Sequence, residues 1–226
     1  MTRYETIRDG FDGYLAVPES GGGPGVVVFQ EIFGINDNIR GICDRLAGEG
    51  YVALAPDVFW RLERRFERKD ESGMPDGMAL VQKLDFGLAA QDAAAAVAHL
   101  RGLPETTGRV GAIGFCLGGT LTYLCATSTD VDAAVPYYGS GIHGMLDRAD
   151  RLTCPTLFHY GDHDPYIPAE QIEQVEKAMA DKANVTVQRH DAGHAFSNWD
   201  APSMYDERAA AEAWEQTRAF LARNLA

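Results

Sequence analysis

Cationic side chains are scarce in this 226-residue chain: 20 Lys and Arg face 33 Asp and Glu, for a formal net charge of -13. That deficit removes the electrostatic footing of nonspecific attachment to nucleic acid or anionic lipid, so neither is expected as a partner. The one basic cluster, RLERRFERKD at 61–70, is interleaved with Glu63, Glu67 and Asp70 and reads as a solvated helical or loop face. Cysteine is also sparse. Cys43, Cys116, Cys125 and Cys154 stand far apart with no CxxC pair, which argues against a zinc site or disulfide framework and leaves free thiols. No apolar run approaches the roughly 18 residues of a membrane span, and MTRYETIRDG at 1–10 lacks the apolar core of a secretion signal, so a cytoplasmic location is expected.

What remains is an ordinary globular composition, 46% hydrophobic and 23% charged, in a length that one domain spanning residues 1–226 can accommodate. Short apolar runs at 25–30, 51–56, 109–115, 131–138, 156–161 and 185–190 read as strands, and several lack polar alternation, as strands covered on both faces do. Helical patterns near 36–49, 77–101, 117–128, 168–182 and 203–224 lie between them. This alternation predicts a doubly wound α/β fold, a mostly parallel sheet with helices on both faces. YETI and FDGYLAV, joined by an Asp-Gly turn, predict an antiparallel edge at the N-terminus, and PESGGGPG at 18–25 reads as a loop.

In such sheets ligands gather at the carboxyl ends of the strands, which directs attention to the loops there. After the third run comes GFCLGG, 114–119. Its G-x-C-x-G spacing suits a nucleophile on a sharp strand-to-helix turn, where glycines two positions to either side relieve crowding and the helix N-terminus favours thiolate. The same glycines match neither G-x-G-x-x-G nor the phosphate loop, and no cofactor or metal is expected. Cys116 could equally be a small buried hydrophobe in a glycine turn. HYGDHDPYIP, 159–168, supplies Asp164, placed to orient an imidazole, with Asp162 read as a turn or cap residue. HDAGHAFSN, 190–198, supplies His194. The order Cys116, Asp164, His194 is the nucleophile–acid–histidine order of α/β-hydrolases. His159 and His190 fall within strand runs and read as structural, and His163 as an exposed loop residue.

QEIFGIN (30–36), GFCLGG, YYGSG (137–141), HYGDHDPYIP and AGHAF, in this order, resemble the dienelactone hydrolase family, over almost the whole chain from GYLAVP to TRAFLARNL. The resemblance implies an α/β-hydrolase fold and a cysteine-dependent hydrolase of a lactone or activated ester, working through a Cys116–His194–Asp164 triad and an acyl-enzyme. It implies that Glu31 lies near the thiol and accepts its proton when substrate binds, and that the N–H groups of Ile32 and Leu117 form the oxyanion hole. Phe33, in QEIFGIN, is expected at the substrate. Two arginines that hold a substrate carboxylate in the family correspond here to Asn198 and Met74, so that clamp is expected to be missing unless Arg61, Arg64, Arg65, Arg68 or Lys69 replaces it. Trp60 and Phe59 are expected to supply an apolar wall. The partner implied is a small-molecule lactone or ester, taken by a monomer or small homo-oligomer. The alternatives are a general carboxylesterase or hydrolase of a neutral lactone and, in another class, a noncatalytic or redox-responsive protein on the same fold.

Overall fold

The computed structural model describes residues 1–226. Eight strands, β1 (Thr2–Arg8), β2 (Phe11–Ala16), β3 (Gly23–Phe29), β4 (Val52–Pro56), β5 (Thr106–Phe115), β6 (Ala133–Tyr137), β7 (Thr156–Gly161) and β8 (Val185–His190), make one sheet in the order β1-β2-β4-β3-β5-β6-β7-β8. The β1–β2 hairpin, turning through Gly10 at φ +76°, and the β2–β4 pair are antiparallel, and every other pairing is parallel. Strands β4, β6 and β7 are buried at every residue, whereas edge strand β1 alternates between exposed and half-buried positions.

The helices are α1 (Asp37–Gly48), α2 (Met74–Val81), α3 (Phe86–Gly102), α4 (Leu117–Ala126), α5 (Ala169–Met179) and α6 (Glu207–Leu225). Register shows that they flank the sheet. Gly25 is opposite Val110, and a Cβ at Gly25 would meet Leu100 of α3; Gly111, one residue further along β5, would meet Leu225 of α6. Successive strand residues point to opposite faces, so α3 and α6 lie on opposite sides. Helix α1 lies on the side of α6, where Trp214 donates from Nε1 to Glu49 and stacks beneath Arg45. Helix α1 buries Ile39, Ile42, Cys43 and Leu46 at helical spacing, and the side chain of Asn36 caps it by accepting from the Ile39 N–H.

Two sequence expectations need correction. The pattern over 77–101 is two helices, because the Asp85 carboxylate accepts the N–H groups of Gly87 and Leu88 and starts a new helix there. Strand β3 begins at Gly23, inside the stretch read as loop, where the backbone passes so close to Gly50 that a Cβ would lie 1.9 Å from its carbonyl oxygen. The basic cluster is an exposed loop face over residues 61–65, as expected, and its arginines also reach buried carboxylates. Arg64 and Arg65 both reach the buried carboxylate of Asp12, at 2.6 and 2.7 Å, and Arg61 pairs with Asp92. A carboxylate removed from water needs such partners, which draw segment 61–65 down onto the sheet edge.

His159 and His190 form a buried pair beneath the carboxyl ends of the last strands. Nδ1 of His159 is 3.0 Å from Nε2 of His190, and Nε2 of His159 is 3.1 Å from Thr217 Oγ1, which lies 2.6 Å from the Tyr137 hydroxyl. Burial pushes both imidazoles below their ordinary range. Unfolded, they take up protons near pH 6.5; folded, they resist until the pH is lower, so their contribution is complete above about pH 6.5 and is lost as pH falls. Between pH 6.5 and 5.5 the unfolding free energy in urea should therefore change less favourably in the wild type than in His190→Gln, by up to about 1 kcal/mol.

Candidate active site

Residue 116 joins β5 to α4 with φ 54° and ψ −114°, a conformation that a side-chain-bearing residue occupies only when its surroundings force it. The forcing is visible in the neighbouring glycines. A Cβ at Gly114 would lie 2.1 Å from the carbonyl oxygen of Gly118, and one at Gly118 would lie 2.1 Å from that of Phe29. The Cys116 N–H donates to the Tyr137 carbonyl at 3.1 Å, fastening the turn to β6. Two other non-glycine residues with positive φ, Tyr138 at 35° and Ala195 at 53°, stand beside it.

The loops after β7 and β8 bring the other two residues. Asp164 Oδ1 accepts the N–H groups of Tyr166 and Ile167 at 2.8 and 3.1 Å, which leaves Oδ2 to meet His194 Nδ1 at 2.6 Å. On the far side of the ring, Nε2 is 3.1 Å from Cys116 Sγ. The imidazole lies between the rings of Tyr138 and Tyr166, with centroids 5.2 and 5.1 Å away. Burial opposes a charge on His194, but its electrostatic coupling to Cys116 and the hydrogen bonds to Asp164 and Cys116 outweigh it, and the pKa stands well above the usual histidine range. Cys116 is partly exposed, whereas Cys43, Cys125 and Cys154 are buried and burial pushes their thiols up.

Glu31 enters from the loop after β3. It is buried; its Oε1 accepts the Tyr138 hydroxyl at 3.1 Å and its Oε2 accepts Asn198 Nδ2. Burial raises its pKa, while the charge of His194 and these two donors pull it back in part. Asn198 is thus committed to Glu31 and does not line the cavity, which corrects its expected place at the substrate.

The cavity over Cys116 has a volume of about 400 Å³, with Glu31, Cys116 and His194 among its lining residues. Ile32, Phe33, Met74 and Leu117 are also among its lining residues. Met78, Val81 and Phe86, carried by α2 and the start of α3, complete the wall with Met204 and Tyr166. Trp60 is elsewhere: it stacks on Phe11 at 5.3 Å and donates from Nε1 to Asp92, drawn to the N-terminal hairpin by a buried carboxylate. Phe59 is wholly buried against Phe66. His163 pairs with Asp191 at the surface, and Asp162 accepts from Arg189.

Sequence reasoning missed Tyr138, Tyr166, Thr120, Ser140, Met78, Val81, Phe86 and Met204. Tyr166 had a signal, lying two residues past Asp164 within a motif already singled out. The wall of α2 had none, since an amphipathic helix offers no mark of which cavity it closes.

A mostly parallel sheet in this order, with a nucleophile-type elbow after β5 and an acid and a histidine after β7 and β8, defines an α/β-hydrolase fold. The family model described as "Dienelactone hydrolase family" matches residues 11–225. The chain is 35% identical over 201 residues to a carboxymethylenebutenolidase of Pseudomonas sp. (strain P51), covering 87% of this chain and 84% of that one. It is 34% identical over 217 residues to a carboxymethylenebutenolidase of Pseudomonas putida, covering 94% and 91%. Among solved structures, a dienelactone hydrolase-like promiscuous phosphotriesterase, P91, from metagenomic libraries superimposes with a TM-score of 0.86 at 28% identity, over 100% of this chain and 99% of that one. The chain belongs to the dienelactone hydrolase family and is a hydrolase of small-molecule esters or lactones. No helix is long and apolar enough to cross a membrane.

If the elbow depends on the close approach of α4 to β3, Gly118→Ala should cost about 3 kcal/mol or more, because backbone and not a flexible side chain blocks the new methyl group. Thermal unfolding of the variant beside Gly141→Ala, whose Cβ meets nothing within 4 Å although its φ of +77° carries a strain cost, separates packing from conformational strain.

Proposed function

We propose that the protein hydrolyses an enol-lactone or activated ester through a covalent thioester on Cys116. The observation that carries this reading is the relay of 3.1 Å from Cys116 Sγ to His194 Nε2 and 2.6 Å from His194 Nδ1 to Asp164 Oδ2, at the floor of an apolar cavity. The Sγ electron pair attacks the carbonyl carbon while the carbonyl oxygen takes up negative charge. The N–H of Leu117, first in α4 and without an intrahelical acceptor, and that of Ile32, which enters no turn or loop hydrogen bond, are the donors to that oxygen. Collapse breaks the carbon–oxygen bond to the leaving group. An enolate departs without a strong acid, which suits thiolate chemistry better than an alkoxide would. Water then gives a proton to His194 Nε2 as its oxygen attacks the thioester, and the thiolate leaves.

Asp164 fixes the imidazole so that Nδ1–H faces the carboxylate and Nε2 faces sulfur. Glu31 is the group that takes the thiol proton when Sγ turns from His194: burial keeps its affinity for a proton high, and Tyr138 and Asn198 hold it in place.

Cys116→Ala should abolish turnover of a 4-nitrophenyl ester or enol-lactone with the fold intact, and Asp164→Asn should lower kcat by about 1,000-fold or more through loss of the correct tautomer. Mass spectrometry of rapidly quenched wild-type protein should find the acyl group on Cys116. Full turnover by Cys116→Ala would refute the mechanism. Irreversible oxidation without acylation would favour a redox role.

A further inference from the structure

Every cation close enough in sequence to reach the cavity is engaged elsewhere or turned to solvent. Arg64 and Arg65 are held by Asp12, Arg61 by Asp92, Arg68 by Asp76 in the first turn of α2, and Arg40 by Asp37 and Glu67. Lys69 is exposed. No Lys or Arg lines the cavity, and the carboxylate of Glu31 lies in its wall. At the positions where the resemblance implies a carboxylate clamp, Asn198 donates its amide to Glu31, and Met74 offers a thioether.

We propose that the cavity selects an uncharged substrate, an enol-lactone or ester with a compact apolar substituent, and rejects one whose substituent carries a free carboxylate; this rests on the hydrolase reading above. A carboxylate entering here leaves water and finds no Lys or Arg to pair with. An apolar substituent instead meets Met74, Met78, Val81, Phe86 and Met204. Three of these five are methionines, unbranched side chains that refill irregular space, so the wall fits groups of differing shape without charge recognition. A volume of about 400 Å³ accommodates a five-membered lactone with a short substituent. Met74 belongs to this wall as a specificity residue rather than a catalytic one.

The test is a matched pair of butenolides, one bearing an exocyclic carboxymethylene group and the other an isobutylidene group, its uncharged isostere. Wild-type protein should prefer the neutral lactone by about 30-fold or more in kcat/KM, mainly through KM. Met74→Arg should move that ratio about 10-fold or more toward the carboxylated lactone by lowering its KM. Equal or faster wild-type hydrolysis of the carboxylated lactone would overturn the selectivity while leaving the hydrolase standing. A ratio unmoved in folded Met74→Arg would remove Met74 from the selectivity. Failure of the wild type to hydrolyse either lactone or a neutral 4-nitrophenyl ester would overturn both readings.

Discussion

The structure depends on the close approach of one turn to two strands. For Cys116 to project from the top of the sheet, α4 must start almost against β3, and at Gly118 the separation leaves no room for a methyl group. The left-handed backbone at Cys116 is costly by itself, of the order of 1–3 kcal/mol, and persists because β5, β6 and α4 leave no alternative path. That rigidity has a chemical return. In the proposed mechanism sulfur and imidazole start at hydrogen-bond distance, so little of the barrier is spent on bringing them together.

A second constraint is electrostatic and acts at a distance. Asp12 in β2 and Asp92 in α3 are buried near the N-terminal hairpin, and each demands cations. The arginines of 61–65 answer that demand, and in doing so they bring Trp60 onto Phe11 and away from the cavity. The apolar character of the cavity is therefore partly a product of the hairpin. With the nearby positive charge committed to two structural carboxylates, the wall facing Cys116 is left to methionine, valine and phenylalanine.

Much of this was legible in the sequence, for identifiable reasons. Strands buried on both faces show unbroken apolar runs, and a nucleophile elbow requires glycines at fixed offsets, so the sheet and Cys116, Asp164 and His194 could be located by pattern. The break at Asp85 was less visible, since both flanking segments are apolar and only one carboxylate reaching back to the Gly87 and Leu88 N–H groups separates them. The destination of Trp60 was illegible, because it depends on Asp92, 32 residues away in sequence. Asn198 was judged by what it lacked relative to arginine; its amide turned out to serve Glu31.

That last exchange ties the two halves of the site together. A guanidinium at position 198 would pair with Glu31 and lower its pKa in the resting site. The neutral amide of Asn198 donates a hydrogen bond without a positive charge, so burial prevails and the pKa of Glu31 stays raised. In the proposed mechanism, Asn198 thus leaves out a cation that a charged substrate would need and holds the carboxylate that accepts the thiol proton. Substrate charge and the proton affinity of Glu31 are then linked through this side chain, and a change at position 198 would bear on both.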